Sequence, residues 1–227
     1  MTMTRHADEE LEGLKGELVQ MATLAEAAIG HAIRSLLVRD SVMAAEVARS
    51  DQAINQLELA VDERCLRVLA LYQPEASDLR FIAMALKINN DLERIGDQAV
   101  NIAERSLELC KEPPLQPLVD IPQLSQRVQT MLRHSVDAFV RRDAELARSI
   151  CRHDDDVDAL DEQIFHELLT HMMQHQRAIT RSVNLILVSR HLERVADHAT
   201  NIAEDVIYLV EGRQIKHNVL ADPPQPA

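Results

Sequence analysis

LERIGDQAVNIAE at residues 92–104 returns as LERVADHATNIAE at residues 192–204. Leu92, Glu93, Arg94, Asp97, Ala99, Asn101, Ile102, Ala103 and Glu104 reappear as Leu192, Glu193, Arg194, Asp197, Ala199, Asn201, Ile202, Ala203 and Glu204. At about 100° per residue, Ile88, Leu92, Ile95, Ala99 and Ile102 gather within a quarter turn, a stripe suited to a bundle interior. Glu93, Asp97, Asn101 and Glu104 gather on the opposite side, with Asn90 beside them. Earlier in the same helix that second side is apolar, with Leu79, Ile82 and Leu86, and in the second copy Ile179, Val183 and Ile186. A helix apolar on two sides is expected to be covered on both.

The repeat extends outward from this phrase. HAIRSLLVRD (31–40) aligns with HSVDAFVRRD (134–143) at an offset of 103, and Val47/Ile150, Asp51/Asp154, Ile54/Val157 and Leu57/Leu160 follow in step. By Leu79 and Ile179 the offset is 100. The three missing residues fall near the turn into the third helix of each repeat. They amount to about one helical turn, so the buried face is kept. In the first copy a helix is predicted from about Asp8 to Val38, with Asp40 or Ser41 capping a second. Pro74 ends that one, and Ser77 is expected to cap a third that runs to about Cys110. The spacing predicts an all-α protein: two tandem repeats of an antiparallel three-helix bundle, with six long helices of roughly 30 residues, or about 45 Å. The expected boundaries are 8–111 for repeat one, 112–121 for a Pro-rich linker, 122–212 for repeat two and 213–227 for a disordered tail. Side-by-side and end-to-end packing of the bundles both remain open.

Composition agrees with this reading. Of 227 residues, 2% are aromatic, none is Trp and five are Gly, so the core must be aliphatic and tight turns few. A net charge of −13 argues against nucleic acid and against an anionic bilayer, and suits cations or a basic protein partner. Cys65, Cys110 and Cys151 form no CxxC pair, so neither zinc ligation nor a disulfide framework is indicated, and a reducing cytoplasm is expected. The N-terminus has no apolar signal region, and no apolar run approaches the ~18 residues of a membrane span, so export and membrane insertion are not expected.

The duplicated polar face is the candidate site. Glu93 and Asp97 are like charges at i,i+4, a pairing that mildly disfavours a helix and so calls for another reason. An ordinary solvated face is the plain alternative, but such a face is free to drift, as Gly96/Ala196, Gln98/His198 and Val100/Thr200 have done. Carboxylates at i and i+4 with an amide at i+8 make a ladder of hard ligands for Mg²⁺, Mn²⁺, Ca²⁺ or iron. The candidate ligands are Glu93, Asp97, Asn101, Glu104, Glu193, Asp197, Asn201 and Glu204. One helix rarely fills a coordination sphere, so Asp51, Asp154 or the acidic run HDDDVDALDE (153–162) could contribute; a helix N-terminus rich in Asp is the plainer reading of that run. Arg94 and Arg194 are placed to orient the carboxylates, or to touch phosphate.

Other constellations are weak. The histidines of HELLTH (166–171) are five apart and do not share a face, and no Glu-x-x-His occurs. His31 and His134 read as packed or surface side chains, and His171, His175, His191 and His198 as surface residues.

With its repeat and doubled phrase, the chain resembles the PhoU family of phosphate-transport regulators from about residue 8 to 217. The resemblance is carried by DLRFIAMALKINNDLERIGDQAVNIAE (78–104), ITRSVNLILVSRHLERVADHATNIAEDVIYLVEG (179–212), DQAINQLE (51–58) and DDDVDALDE (154–162). It implies a pair of three-helix bundles and a non-enzymatic cytoplasmic protein. Such a protein would negatively regulate the phosphate-starvation response, between the ATPase subunit of a phosphate ABC transporter and a phosphate-sensing histidine kinase. It implies metal on the Glu/Asp-x-x-x-Asp motifs, as multinuclear iron or as Mg²⁺ or Mn²⁺, here at Glu93–Asp97 and Glu193–Asp197. It also implies a homodimer. Repeat two departs from the pattern in lacking the P-x-A-x-D-L-R stretch of Pro74–Arg80. Two readings from other classes stand beside this one: a metal-dependent hydrolase or oxidase on a helical bundle, and a metal-free scaffold.

Overall fold

A computed structural model describes residues 2–115, 120–213 and 215, with side chains from His6 onward. Six long helices follow one another: α1 (Thr2–Val38), α2 (Ser41–Tyr72), α3 (Ala76–Cys110), α4 (Ile121–Arg141), α5 (Ala144–Gln174) and α6 (Ile179–Glu211), the last preceded by a 3-10 turn at Gln176–Ala178. The fold is all-α, and α1–α3 and α4–α6 each form a three-helix bundle. Residues 116–119 of the linker expected at 112–121, and most of the tail expected at 213–227, lie outside the described residues.

Local chemistry explains the helix ends. Asp40 caps α2, its Oδ1 accepting from the amides of Val42 and Met43 at 2.9 and 3.0 Å. Its repeat mate Asp143 caps α5 through the Leu146 amide at 2.9 Å. Each cap is worth about 1 kcal/mol. The residues before them, Arg39 and Arg142, take left-handed backbone conformations at φ 57° and 51°, so the same tight turn is built twice. Ser77 does not cap α3: the helix starts at Ala76, with Glu75 at the cap position and no side-chain bond. Pro74 already fixes the break, so the cap is not needed to end α2. α4 has 21 residues rather than roughly 30, because prolines occupy the sequence before it and Pro122 sits in its first turn.

The core is one continuous, mainly aliphatic cluster running through both bundles, with Phe81 and Phe139 stacked within it at 5.2 Å between ring centres. Ile88, Leu92, Ile95, Ala99 and Ile102 are all at most 1% exposed. α1 is apolar enough in one window, mean hydropathy 1.2, to resemble a membrane span by length and composition. Leu14, Leu18, Met21, Ala25 and Ile29 are instead fully buried within the core.

The bundles lie side by side. α3 packs along α6, and α1 touches α4. Asp91 meets His198, Gln98 meets His191 and Arg105 meets Asn184, so residue numbers rise on one helix as they fall on the other. α3 and α6 are therefore antiparallel. Since Asp91 matches His191 and Gln98 matches His198 in the repeat, the two contacts exchange under a pseudo-two-fold axis between the helices. Glu26 with Arg133 shows a cross-bundle contact between α1 and α4 as well. Because α1 and α4 touch, both lie behind the α3/α6 pair. The opposite side of that pair is one shared face, flanked by α2 and α5.

Candidate functional site

That shared face carries both acidic phrases. On α3, Asp91 and Gln98 point to α6; Glu93, Asp97 and Glu104 stand about 120–160° away, where α3 borders α2. A second helix brings further acids against them. α2 brings Asp51, Asn55 and Glu58, spaced i, i+4, i+7, against Glu93 and Asp97. Burial raises the Glu93 carboxyl above its ordinary value, with repulsion from Asp97, Glu58 and Asp51 adding to it and Arg94 opposing. Asp51 is raised by burial too, against a hydrogen bond from Asn55 at 2.9 Å, and Asp97 adds repulsion. Asp51 Oδ1 is buried with no hydrogen-bond partner.

The second copy repeats the arrangement with α5 and α6. Asp154, Asp158 and Asp161 are the 103-offset mates of Asp51, Asn55 and Glu58, and they face Glu193 and Asp197. Burial pushes Asp154 up to about 6, with Asp158 repelling it and Thr200 donating a hydrogen bond at 3.2 Å. Glu193 is raised by burial, then by Asp197 and Asp161. Asp161, 2% exposed, is compensated by Ser189 Oγ at 2.5 Å and Arg190 Nη1 at 2.7 Å. A depression of about 420 Å³ opens here, lined by Asp158, Asp161, Glu162, Arg190 and Glu193 among others. Replacing Asn55 by Asp158 makes this seam the more acidic of the two.

Residues 153–162 are mid-helix, since α5 begins at Ala144, so their aspartates do not decorate a helix N-terminus. Asp154, Asp158 and Asp161 face the seam instead, while Asp156 lines the groove between α4 and α5. Asn101 and Asn201 are half-buried one turn beyond the paired carboxylates, Glu104 is exposed beside Arg105 at 3.6 Å, and Glu204 is half-buried. Arg94 does orient the first ladder, reaching Asp97 at 3.1 Å and Glu93 at 3.4 Å. In the second seam Arg190 pairs with Asp161. Among the described residues, no three His, Cys, Asp or Glu side chains converge as a preformed metal site. The carboxylates line two seams rather than enclose a point. Their chemistry fits a hard cation: oxygen donors only, two of them pushed together against repulsion, and one orphaned oxygen on Asp51.

Three features differ from the sequence reading. Glu58, Asp158 and Asp161 were missed as individual donors, although their repeated i, i+4, i+7 spacing was a usable signal. His191 and His198 are not idle surface residues: they are half-buried and bridge the bundles. Leu79, Ile179 and Val183 are not covered, at 49%, 46% and 42% exposed, although Ile82 is fully buried. A larger groove of about 530 Å³ between α4 and α5, walled by Gln126, Arg127, His134 and His153, belongs to neither seam.

Known proteins share this arrangement. The family described as "PhoU domain" matches residues 18–106 and again 121–206. A phosphate-specific transport system accessory protein PhoU homolog of Pseudomonas aeruginosa is 42% identical over 221 residues, covering 95% of this chain and 91% of its own. The Aquifex aeolicus homolog of the same description is 46% identical over 209 residues, covering 92% and 95%. A crystal structure of PhoU from P. aeruginosa superposes with a TM-score of 0.87 at 43% identity, over 91% of this chain and 99% of that one. The phosphate transport system regulatory protein PhoU from Streptococcus pneumoniae superposes at 0.85 with 31% identity, over 92% and 98%. With its doubled three-helix unit and both copies of its acidic phrase matched, the chain belongs to the PhoU family.

Proposed function

We propose that this protein is a cytoplasmic, non-enzymatic regulator of phosphate uptake and a negative regulator of the phosphate-starvation response. It would couple the ATPase subunit of a phosphate ABC transporter to a phosphate-sensing histidine kinase. The family membership supports the phosphate-regulatory part. The partners, the homodimer and the cytoplasmic setting are inferences from the resemblance.

The observation that carries the mechanism is the duplicated seam of crowded carboxylates. Glu93, Asp97, Asn101 and Glu104 with Asp51 and Glu58 would hold cations in the first seam. Glu193, Asp197, Asn201 and Glu204 with Asp154, Asp158 and Asp161 would hold them in the second. Bound Mg²⁺, Mn²⁺ or iron would supply positive charge that offsets the mutual repulsion. The seam residues then hold α2 on α3 and α5 on α6 at one spacing, so that the shared face keeps one shape. Light scattering tests the homodimer.

The decisive experiment replaces Glu93, Asp97, Glu193 and Asp197 together by Ala. Gently purified protein should lose its bound metal by elemental analysis, and cells should express phosphate-starvation genes in phosphate-rich medium. Unchanged repression would remove the ladders from the mechanism. Metal-free wild-type protein that represses normally would favour the scaffold, and turnover of phosphate esters by metal-loaded protein would favour the hydrolase.

A further inference from the structure

The groove between α4 and α5 holds about 530 Å³, within the roughly 300–1,000 Å³ of small-molecule sites. Its floor is apolar: Met131, Ile150 and Val157 are buried beneath it. Arg127, His134 and His153 stand exposed along its walls. Arg127 and His134 are two turns apart on α4, or about 10 Å. Arg127 Nη1 donates to the Asp156 carbonyl across the groove at 3.3 Å. α5 runs back along α4, so His153, one turn before Asp156, falls level with the stretch between Arg127 and His134. His153 Nδ1 lies 2.5 Å from the Ser149 carbonyl, which can only accept, so Nδ1 carries a proton and Nε2 is left for other contacts. Repeat one builds its three-helix unit without this polar wall. At the offset of 103, Arg127, His153 and Asp156 match Leu24, Ser50 and Ala53, and Leu24 packs on the core. The basic groups are therefore not a requirement of the fold.

We propose that this groove binds a nucleoside di- or triphosphate. Guanidinium and imidazole N–H groups spread over about 10 Å suit the oxygens of more than one phosphate. The apolar floor, with the polarizable thioether of Met131, suits a flat aromatic base. Gln123 and Gln126 each offer a donor and an acceptor to a base edge, and Asp156 accepts from ribose hydroxyls. Inorganic phosphate would leave the floor wet, and an uncharged ring would leave the basic groups unused. The net charge of −13 repels an anion at a distance, but physiological salt screens that field beyond about 8 Å, so contacts inside the groove decide. No seam carboxylate lines the groove, so the site is separate from the regulatory role above.

Isothermal titration of the metal-free full chain, in EDTA at about 0.15 M salt, uses ATP, ADP and inorganic phosphate as probes. ATP or ADP should bind once per chain with a Kd below about 0.1 mM, and phosphate at least about tenfold more weakly. Arg127→Leu and His153→Ser each install the residue that repeat one carries at the matching position. Each should weaken nucleotide binding about tenfold and the pair should abolish it, while helicity and melting stay at wild-type values. The variant with Glu93, Asp97, Glu193 and Asp197 replaced by Ala should bind nucleotide as the wild type does. No binding up to about 1 mM, phosphate held as tightly as nucleotide, indifference to both groove variants, or loss of binding in the four-carboxylate variant overturns the proposal. Such a failure leaves the seams standing, since metal content and phosphate-starvation gene expression read those separately.

Discussion

His198 Nδ1 lies 2.8 Å from Asp91 Oδ1, on the boundary where α3 of one bundle meets α6 of the other. The pair is 22% and 12% exposed, so neither group has free access to water. Its symmetry mate, His191 Nδ1 with Gln98 Oε1 at 2.9 Å, holds the same boundary seven residues away. Four repeat-equivalent positions thus supply two different polar bonds at one interface.

Removing Asp91 or His198 should loosen the joint between bundles. Asp91→Ala and His198→Ala are each expected to cost about 1–3 kcal/mol, since each leaves a buried partner unsatisfied. A double-mutant cycle by urea denaturation should give a coupling above about 0.5 kcal/mol. Simple additivity would mean that the contact is incidental.

Gly96 and Ile54 form a packing pair that repeat two has rewritten as Ala196 and Val157. A Cβ at position 96 would meet Ile54 Cδ1 at 3.0 Å and Asp51 Oδ1 at 3.2 Å. Val lacks that Cδ1, which is why Ala fits in the second copy. Gly96→Ala gains about 1 kcal/mol of helix propensity but overpacks a tight contact, at a cost of about 1–3 kcal/mol. Adding Ile54→Val should recover at least about 1 kcal/mol relative to the sum of the single variants. Thermal or chemical melts of the four proteins would show it.

Crowded carboxylates make the metal-free protein sensitive to pH. Asp154 is raised from an ordinary 3.8 to about 6, and Glu93, Glu193 and Asp51 are raised as well. A carboxyl raised by folding binds its proton more tightly in the native state. Its contribution is fully present below the unfolded value and is lost as pH rises through the folded one. Metal-free protein should therefore melt higher at pH 5 than at pH 7. Cation affinity should run the other way, falling as pH drops through about 6, because ligands must be deprotonated. Melting curves across pH 4.5–7.5 with and without Mn²⁺ test both slopes, and parallel curves would count against metal in the seams.

Thiol chemistry should single out one cysteine. Burial pushes Cys65 up to about 12 and Cys151 up to about 11, so neither is a ready nucleophile. Cys110 is only half-buried, at the end of α3. Native protein at pH 8 should be labelled at Cys110 alone by an aromatic disulfide reagent, read by peptide mass mapping. Rapid labelling of all three would indicate that the bundles open readily.

Much of the site could be read from spacing alone. Glu93, Asp97 and their copies were visible because a duplicated polar phrase on an otherwise apolar helix is hard to explain as plain surface. Asp51 and Asp154 followed from the same offset. Asp158 and Asp161 were hidden by the run of acids around them, where helix-end chemistry offered an equally simple account. Only the observed start of α5 at Ala144 separates the two.

Periodicity determined the helices, their order, the duplication and the two used sides of α3 and α6, because these follow from side-chain direction along one helix. Tertiary structure alone decided which helix each side meets. That depends on how side chains of distant segments interlock, and spacing within a segment carries no record of its neighbour. It set α3 antiparallel to α6 and turned His191 and His198 into bridges. It also left Leu79 and Ile179 uncovered at the two ends of one acidic face.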